Sequence, residues 1–119
     1  MAPILPLPSA TLQVVSLALD AAGLRHQAIA ANIANAGNPA YQRRGVSFEA
    51  RLRELADGAS LAGASTASLQ PRLVNDNGAA ALDQDVAAMA ANALHFQTLL
   101  KALNAELDLM GMAANDGRR

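Results

Sequence analysis

The chain has 119 residues, enough for one domain with one modest core, and carries a formal charge of -1. That balance lacks the basic footprint of a nucleic-acid or anionic-membrane binder. Although 52% of the residues are hydrophobic, Tyr41, Phe48 and Phe96 are the only aromatic ones, and alanine supplies much of the rest, so a lone monomer buries little apolar surface. There is no cysteine, which excludes disulfide scaffolds and thiolate metal sites.

Residues 1–8 contain Pro3, Pro6 and Pro8 and predict a flexible N-terminal segment. The apolar start resembles a secretion signal only superficially. No Lys or Arg precedes Arg25, and the prolines, Gln13 and Ser16 interrupt the run. No stretch approaches the roughly 20 continuous apolar residues of a membrane span.

Ser9 offers an N-cap hydroxyl, which predicts an axial helix over 9–37. Leu12, Val15, Leu19, Ala22, His26, Ile29, Ile33 and Ala36 step by three and four, as the a and d positions of a heptad helix do. A second apolar row, Leu17, Ala21, Leu24, Ala28 and Ala31, runs along nearly the opposite side. A helix apolar most of the way round is covered on several sides, by its own chain and by other subunits. Gly37 is the expected left-handed C-cap, with Pro39 barring continuation.

Residues 38–82 read as a turn followed by a variable, flexible, partly extended middle. Val46 to Phe48 suggest a short extended piece, and Glu49 to Leu55 a helical turn. Residues 56–68 are nearly all Ala, Gly and Ser, too poor in apolar surface to offset backbone ordering, and predict a mobile insert. Leu69 to Val74 suggest a brief strand, and Asn75, Asp76, Asn77 and Gly78 a turn.

A second axial helix is expected over 83–112, capped by Asp83 or Asp85, with a frayed tail over 113–119. Val86, Met89, Ala93, Phe96, Leu100, Leu103, Leu107 and Met110 form an unbroken heptad seam. Two seams of similar length predict an all-α fold in which the terminal helices pair as a coiled coil.

Between the helices lies the most specific stretch. Asn32, Ile33, Ala34, Asn35, Ala36, Pro39 and Tyr41 closely resemble the N-terminal signature of the flagellar rod, hook and hook-associated axial proteins, Asn-(Ile/Leu)-Ala-Asn-Ala-x-Thr-Pro-Gly-Tyr. Asn38 replaces the usual Thr and Ala40 the usual Gly, so the turn is expected to differ somewhat, since alanine resists the positive φ that glycine permits. Short length, the Gly/Ala/Ser-rich centre and the Asp83-x-Asp85 start of the last helix are similar to the proximal-rod branch.

The resemblance implies a structural subunit of the basal-body rod in the periplasm, exported uncleaved through the flagellar type III apparatus. Its implied partners are itself, rod subunits of the FlgC, FlgF and FlgG kinds, a FliE-like basal-body protein and the export apparatus. The alternatives left open are a FlgC-type sister subunit and a small helical-hairpin adaptor.

Within the signature, the side-chain amides of Asn32 and Asn35 suit backbone groups left open by the ending helix. Tyr41 offers either a docking ring or a cover for its own helix end. The seam residues Leu12, Val15, Leu19, Ile29, Val86, Met89, Phe96, Leu100, Leu103 and Leu107 are the candidate assembly contacts.

Chemistry finds little foothold. His26 and His95 are too few for a zinc site and lack HExxH spacing, and Asp83 and Asp85 are better explained by capping than by acid/base work. Arg43, Arg44, Arg51 and Arg53 form a basic patch without interleaved aromatics, which suits a solvated face or a salt-bridging subunit contact. No nucleotide or nucleophile motif occurs, so no enzyme, cofactor or metal is expected.

Overall fold

The computed structural model describes residues 6–58, 69–79 and 81–117. Its elements in order are α1 (Pro6–Ala34), β1 (Arg44–Ser47), α2 (Glu49–Gly58), β2 (Arg72–Asn75) and α3 (Leu82–Asp116). The chain is mostly helical, as expected, with one small two-stranded sheet that the all-α expectation lacked.

Helix α1 starts at Pro6, three residues before the expected Ser9. Two prolines fit here because first-turn amides have no intrahelical acceptor to lose. The helix ends at Ala34, earlier than the expected Gly37, and Gly37 does not take a left-handed conformation. Successive tight turns replace that cap: the amide of Ala36 reaches the carbonyl of Ile33, Asn38 reaches Asn35, and Tyr41 reaches Asn38.

The middle holds the short extended pieces and the helix that its sequence suggested, and the two extended pieces pair. Strands β1 and β2 are antiparallel, pairing Arg44 with Asn75, Gly45 with Val74, Val46 with Leu73 and Ser47 with Arg72. One more rung follows, the Asp76 amide donating to the Arg43 carbonyl at 2.9 Å. Of the expected mobile insert, the first three residues belong to α2, and residues 59–68 lie outside the described residues. Residues 1–5 of the expected flexible terminus also lie outside them.

The strand expected at Leu69 to Val74 starts later, because Leu69 is spent on the core. That core joins Leu17 and Ala21 of α1 to Phe48 and Leu69, flanked by Ala18, Val46, Leu52 and Leu55. It includes Leu17 and Ala21 of the second apolar row of α1, so this chain's own middle covers that part of the row. An ion pair ties the same unit down, the Arg25 guanidinium donating to both carboxylate oxygens of Glu49 at 2.6 and 3.0 Å.

Helix α3 spans Leu82–Asp116, longer at its C-terminal end than the expected 83–112, so residues 113–116 of the expected 113–119 tail are helical, and 118 and 119 lie outside the described residues. Thirty-five residues at 1.5 Å each make it roughly 50 Å long. Its N-cap is Ala81, which makes no side-chain cap bond. Asp83 and Asp85 therefore lie inside the first turn, where they complement the dipole without capping.

Helices α1 and α3 pack along each other in antiparallel fashion. Asp85, early in α3, meets Arg43 just beyond the end of α1, whereas Asn92 meets Ala22 further back. The α3 face turned inward is not the expected seam. Asp85 and Asn92 are buried, and Met89, Leu99, Leu103 and Glu106 are half-buried, which together with Phe96 traces one stripe at alternating steps of four and three. The expected seam shares Met89, Phe96 and Leu103 with that stripe. Its other members are displaced: Val86 is 53% exposed, Leu100 38% and Leu107 47%.

Candidate assembly site

The signature folds into a knot at the end of α1. The last turns of α1 carry Asn32 inward, where it is 3% exposed. Its Oδ1 accepts from the Arg44 amide at 3.0 Å and from the Tyr41 hydroxyl at 3.0 Å, and its Nδ2 donates to the Arg44 carbonyl at 2.9 Å. One side chain thus behaves as an extra peptide group, pairing with the first residue of β1 as a neighbouring strand does.

Asn35 acts on the helix itself, its Nδ2 donating at 2.8 Å to the Ala31 carbonyl, which also accepts the Asn35 amide. Asn38 supplies the turn: its Oδ1 accepts the Ala40 amide at 3.0 Å. Ala40 needs no left-handed conformation, since no described residue has positive φ. The two departures from the signature are thereby accommodated, one as an Asx turn and the other without strain. Asn32, Asn35, Ala36, Asn38, Pro39, Tyr41 and Arg43 surround a concavity of about 200 Å³.

Tyr41 is not a free docking ring. Its hydroxyl is committed to Asn32 and its ring is half-buried over its own helix end. Ile33 is half-buried and Ala34 is exposed.

Arg43 departs furthest from its expected place on a solvated or intersubunit patch. Its Nη1 and Nη2 donate to the Asp85 carboxylate at 2.8 and 2.9 Å in a two-pronged pair, and Nη2 lies 3.6 Å from Asp76. Neither partner is well solvated, with the side chains 17% and 9% exposed. The hydrogen bonds from Arg43, outweighing the penalty of burial, hold the Asp85 carboxyl below the usual carboxylate range. The same bonds raise Arg43 above its ordinary value. Arg51 is also occupied within the chain, donating to the carbonyls of Ser47 and Gln70.

The pairing of Arg43 with Asp85 was not foreseen from the sequence. The only local signal for Asp85 was its place at a helix start, which fits capping equally well.

Along the rest of α1, Ile29 is buried and Leu12, Val15 and Leu19 are half-buried. A concavity of about 410 Å³ between α1 and α3 is lined by His26, Phe96 and Asn92 among others, and Asn92 donates there to the Ala22 carbonyl at 2.8 Å. His95 lies exposed one residue away from Phe96. Among the described residues, no three His, Cys, Asp or Glu side chains gather as metal ligands, and no helix is long and apolar enough to cross a membrane.

Helix α3 also carries large apolar residues that stay at least partly open. Leu82, Val86, Leu94, Phe96, Leu100, Leu107, Leu109, Met110 and Met112 are all at least 36% exposed. Of these, Val86, Leu100 and Leu107 stand on one heptad row, with exposed Ala93 between the first two, while Leu94, Leu109 and Met112 lie on other sides of the helix.

No protein-family model and no curated protein sequence matches this chain.

Proposed function

We propose that this chain is a structural subunit of the bacterial flagellar basal-body rod, of the FlgB type, whose terminal helices build the inner axial layer. The observation that carries the reading is the Asn32 to Tyr41 signature at the end of a long apolar helix. The Gly/Ala/Ser-rich centre and the Asp83-x-Asp85 opening of the last helix favour FlgB over its FlgC sister.

The exposed row of α3 supports the same reading. A rod transmits torque only if each subunit is bonded to several neighbours, and a heptad row offers an extended apolar contact of the coiled-coil kind. Val86, Leu100 and Leu107 then pack against neighbouring subunits, copies of this chain and FlgC-, FlgF- or FlgG-like and FliE-like proteins among them. The signature knot fixes the direction in which the middle leaves the axial layer. No step of this work needs a catalytic group, cofactor or metal. The subunit leaves the cytoplasm uncleaved through the flagellar export apparatus and functions in the periplasmic rod.

Deletion of the gene in its host tests the reading. The expected outcome is loss of motility with basal-body preparations that lack a rod; normal flagella and swimming would overturn it. A small helical-hairpin adaptor would leave the rod intact.

A further inference from the structure

Two polar side chains occupy the inward stripe of α3. Asp85 and Asn92 stand one heptad apart, both buried, while apolar Val86 and Ala93, one position further along, face outward. Apolar burial alone favours the opposite arrangement, with the row of Val86, Ala93, Leu100 and Leu107 turned onto α1. A helix rotation of roughly 50°, half the 100° between successive residues, interconverts the two because Met89, Phe96 and Leu103 belong to both stripes.

What opposes that rotation is specific. Asp85 is held in two-pronged fashion by Arg43 at 2.8 and 2.9 Å, and Asn92 donates to the main-chain carbonyl of Ala22 at 2.8 Å. The second bond requires a close approach of the two helices. The small, fully buried side chain of Ala22 keeps that part of α1 narrow. Rotating α3 would break both attachments and leave Arg43 without its strongest partner.

We infer that Asp85 and Asn92 are positioning residues that fix the rotation of α3, so that its apolar heptad row is presented outward instead of being consumed within the monomer. A buried polar residue that selects one helix pairing at some cost in stability is a recognised device in helix pairs. Here two such residues select which row is left for neighbours. The consequence for assembly rests on the rod-subunit reading; the rotation itself does not.

The absence of cysteine makes a direct test possible, because a single thiol can be introduced at Val86→Cys, Leu99→Cys or Leu100→Cys and its maleimide labelling rate measured in dilute, full-length protein. In the native background the thiols at positions 86 and 100 label several-fold faster than that at 99. In the background Arg43→Met, Asp85→Leu, Asn92→Leu, where each polar group is replaced by an apolar one, the order inverts, with position 99 roughly tenfold faster than 100. An unchanged order in a variant that still melts cooperatively would overturn the inference.

Asn92→Leu alone covers the case in which the triple variant does not fold. It retains the Arg43–Asp85 pair, so labelling slows at position 100 and stays fast at 86; unchanged labelling at 100 overturns the inference as well. Sedimentation of the triple variant separates the two claims. Inverted labelling with lost self-association supports both, whereas inverted labelling with undiminished self-association upholds the rotation and sinks the outward row as the assembly surface.

Discussion

The side-chain amide of Asn32 pairs with the backbone of Arg44 through both its oxygen and its nitrogen, at 3.0 and 2.9 Å, twelve residues away along the chain. This pairing joins the end of α1 to the start of the sheet, with Asn32 buried and the pairing itself part-buried, so water replaces it only incompletely. Asn32→Ala is expected to cost about 2–3 kcal/mol, because two backbone groups lose their partner. Asn32→Asp keeps the shape but presents an acceptor to the Arg44 carbonyl, and is expected to be at least as damaging. Urea unfolding curves check both; a loss below about 0.5 kcal/mol in each would show that the knot does not hold the junction.

Tyr41→Phe separates the two earlier roles of the tyrosine. The ring still covers the helix end, while the hydroxyl bond to Asn32 at 3.0 Å is lost. A stability loss of about 1 kcal/mol is expected, with little effect in an Asn32→Ala background, as a double-mutant cycle would reveal.

The Arg43–Asp85 pair makes stability depend on pH in a definite direction. Since the folded-state Asp85 carboxyl lies below its unfolded value, its contribution is fully present above the ordinary carboxylate range and is lost as pH falls through the folded value. Arg43 is raised from a value already far above neutrality, so it adds no change in the usual range. Chemical denaturation between pH 7 and pH 2 is expected to show a decline below about pH 4 that is smaller in Asp85→Asn, whose stability is already reduced at pH 7.

The two kinds of apolar residue are expected to separate cleanly. Phe48, 2% exposed in the core, should cost about 3–5 kcal/mol as Phe48→Ala and compromise the monomer. Leu107, 47% exposed, should leave monomer stability within about 0.5 kcal/mol as Leu107→Ser while weakening self-association. Thermal melts and sedimentation, run on both variants, measure the two effects separately.

Much of this fold was legible from local features. The stepping of apolar residues by three and four located both long helices, and the cluster of Asn, Pro and Tyr marked the point where the first one stops. Both readings rest on interactions among residues a few positions apart, for which sequence spacing is nearly sufficient. Even there, details of the ends went otherwise: Pro6 and Pro8 were admitted to the first turn, and Asn35, Asn38 and a run of tight turns replaced a left-handed Gly37.

The sequence by itself determined that there would be two long apolar helices, with more apolar surface than a small monomer with three aromatic residues can use. Only the tertiary structure decided which surface is used. The partners that settle it lie far apart in sequence, Arg43 and Asp85 by 42 residues and Ala22 and Asn92 by 70, so no local pattern announces them. A heptad pattern specifies that a helix has an apolar side but leaves its rotation open. Here two buried polar attachments turn α3 so that Val86, Leu100 and Leu107 remain in reach of other molecules.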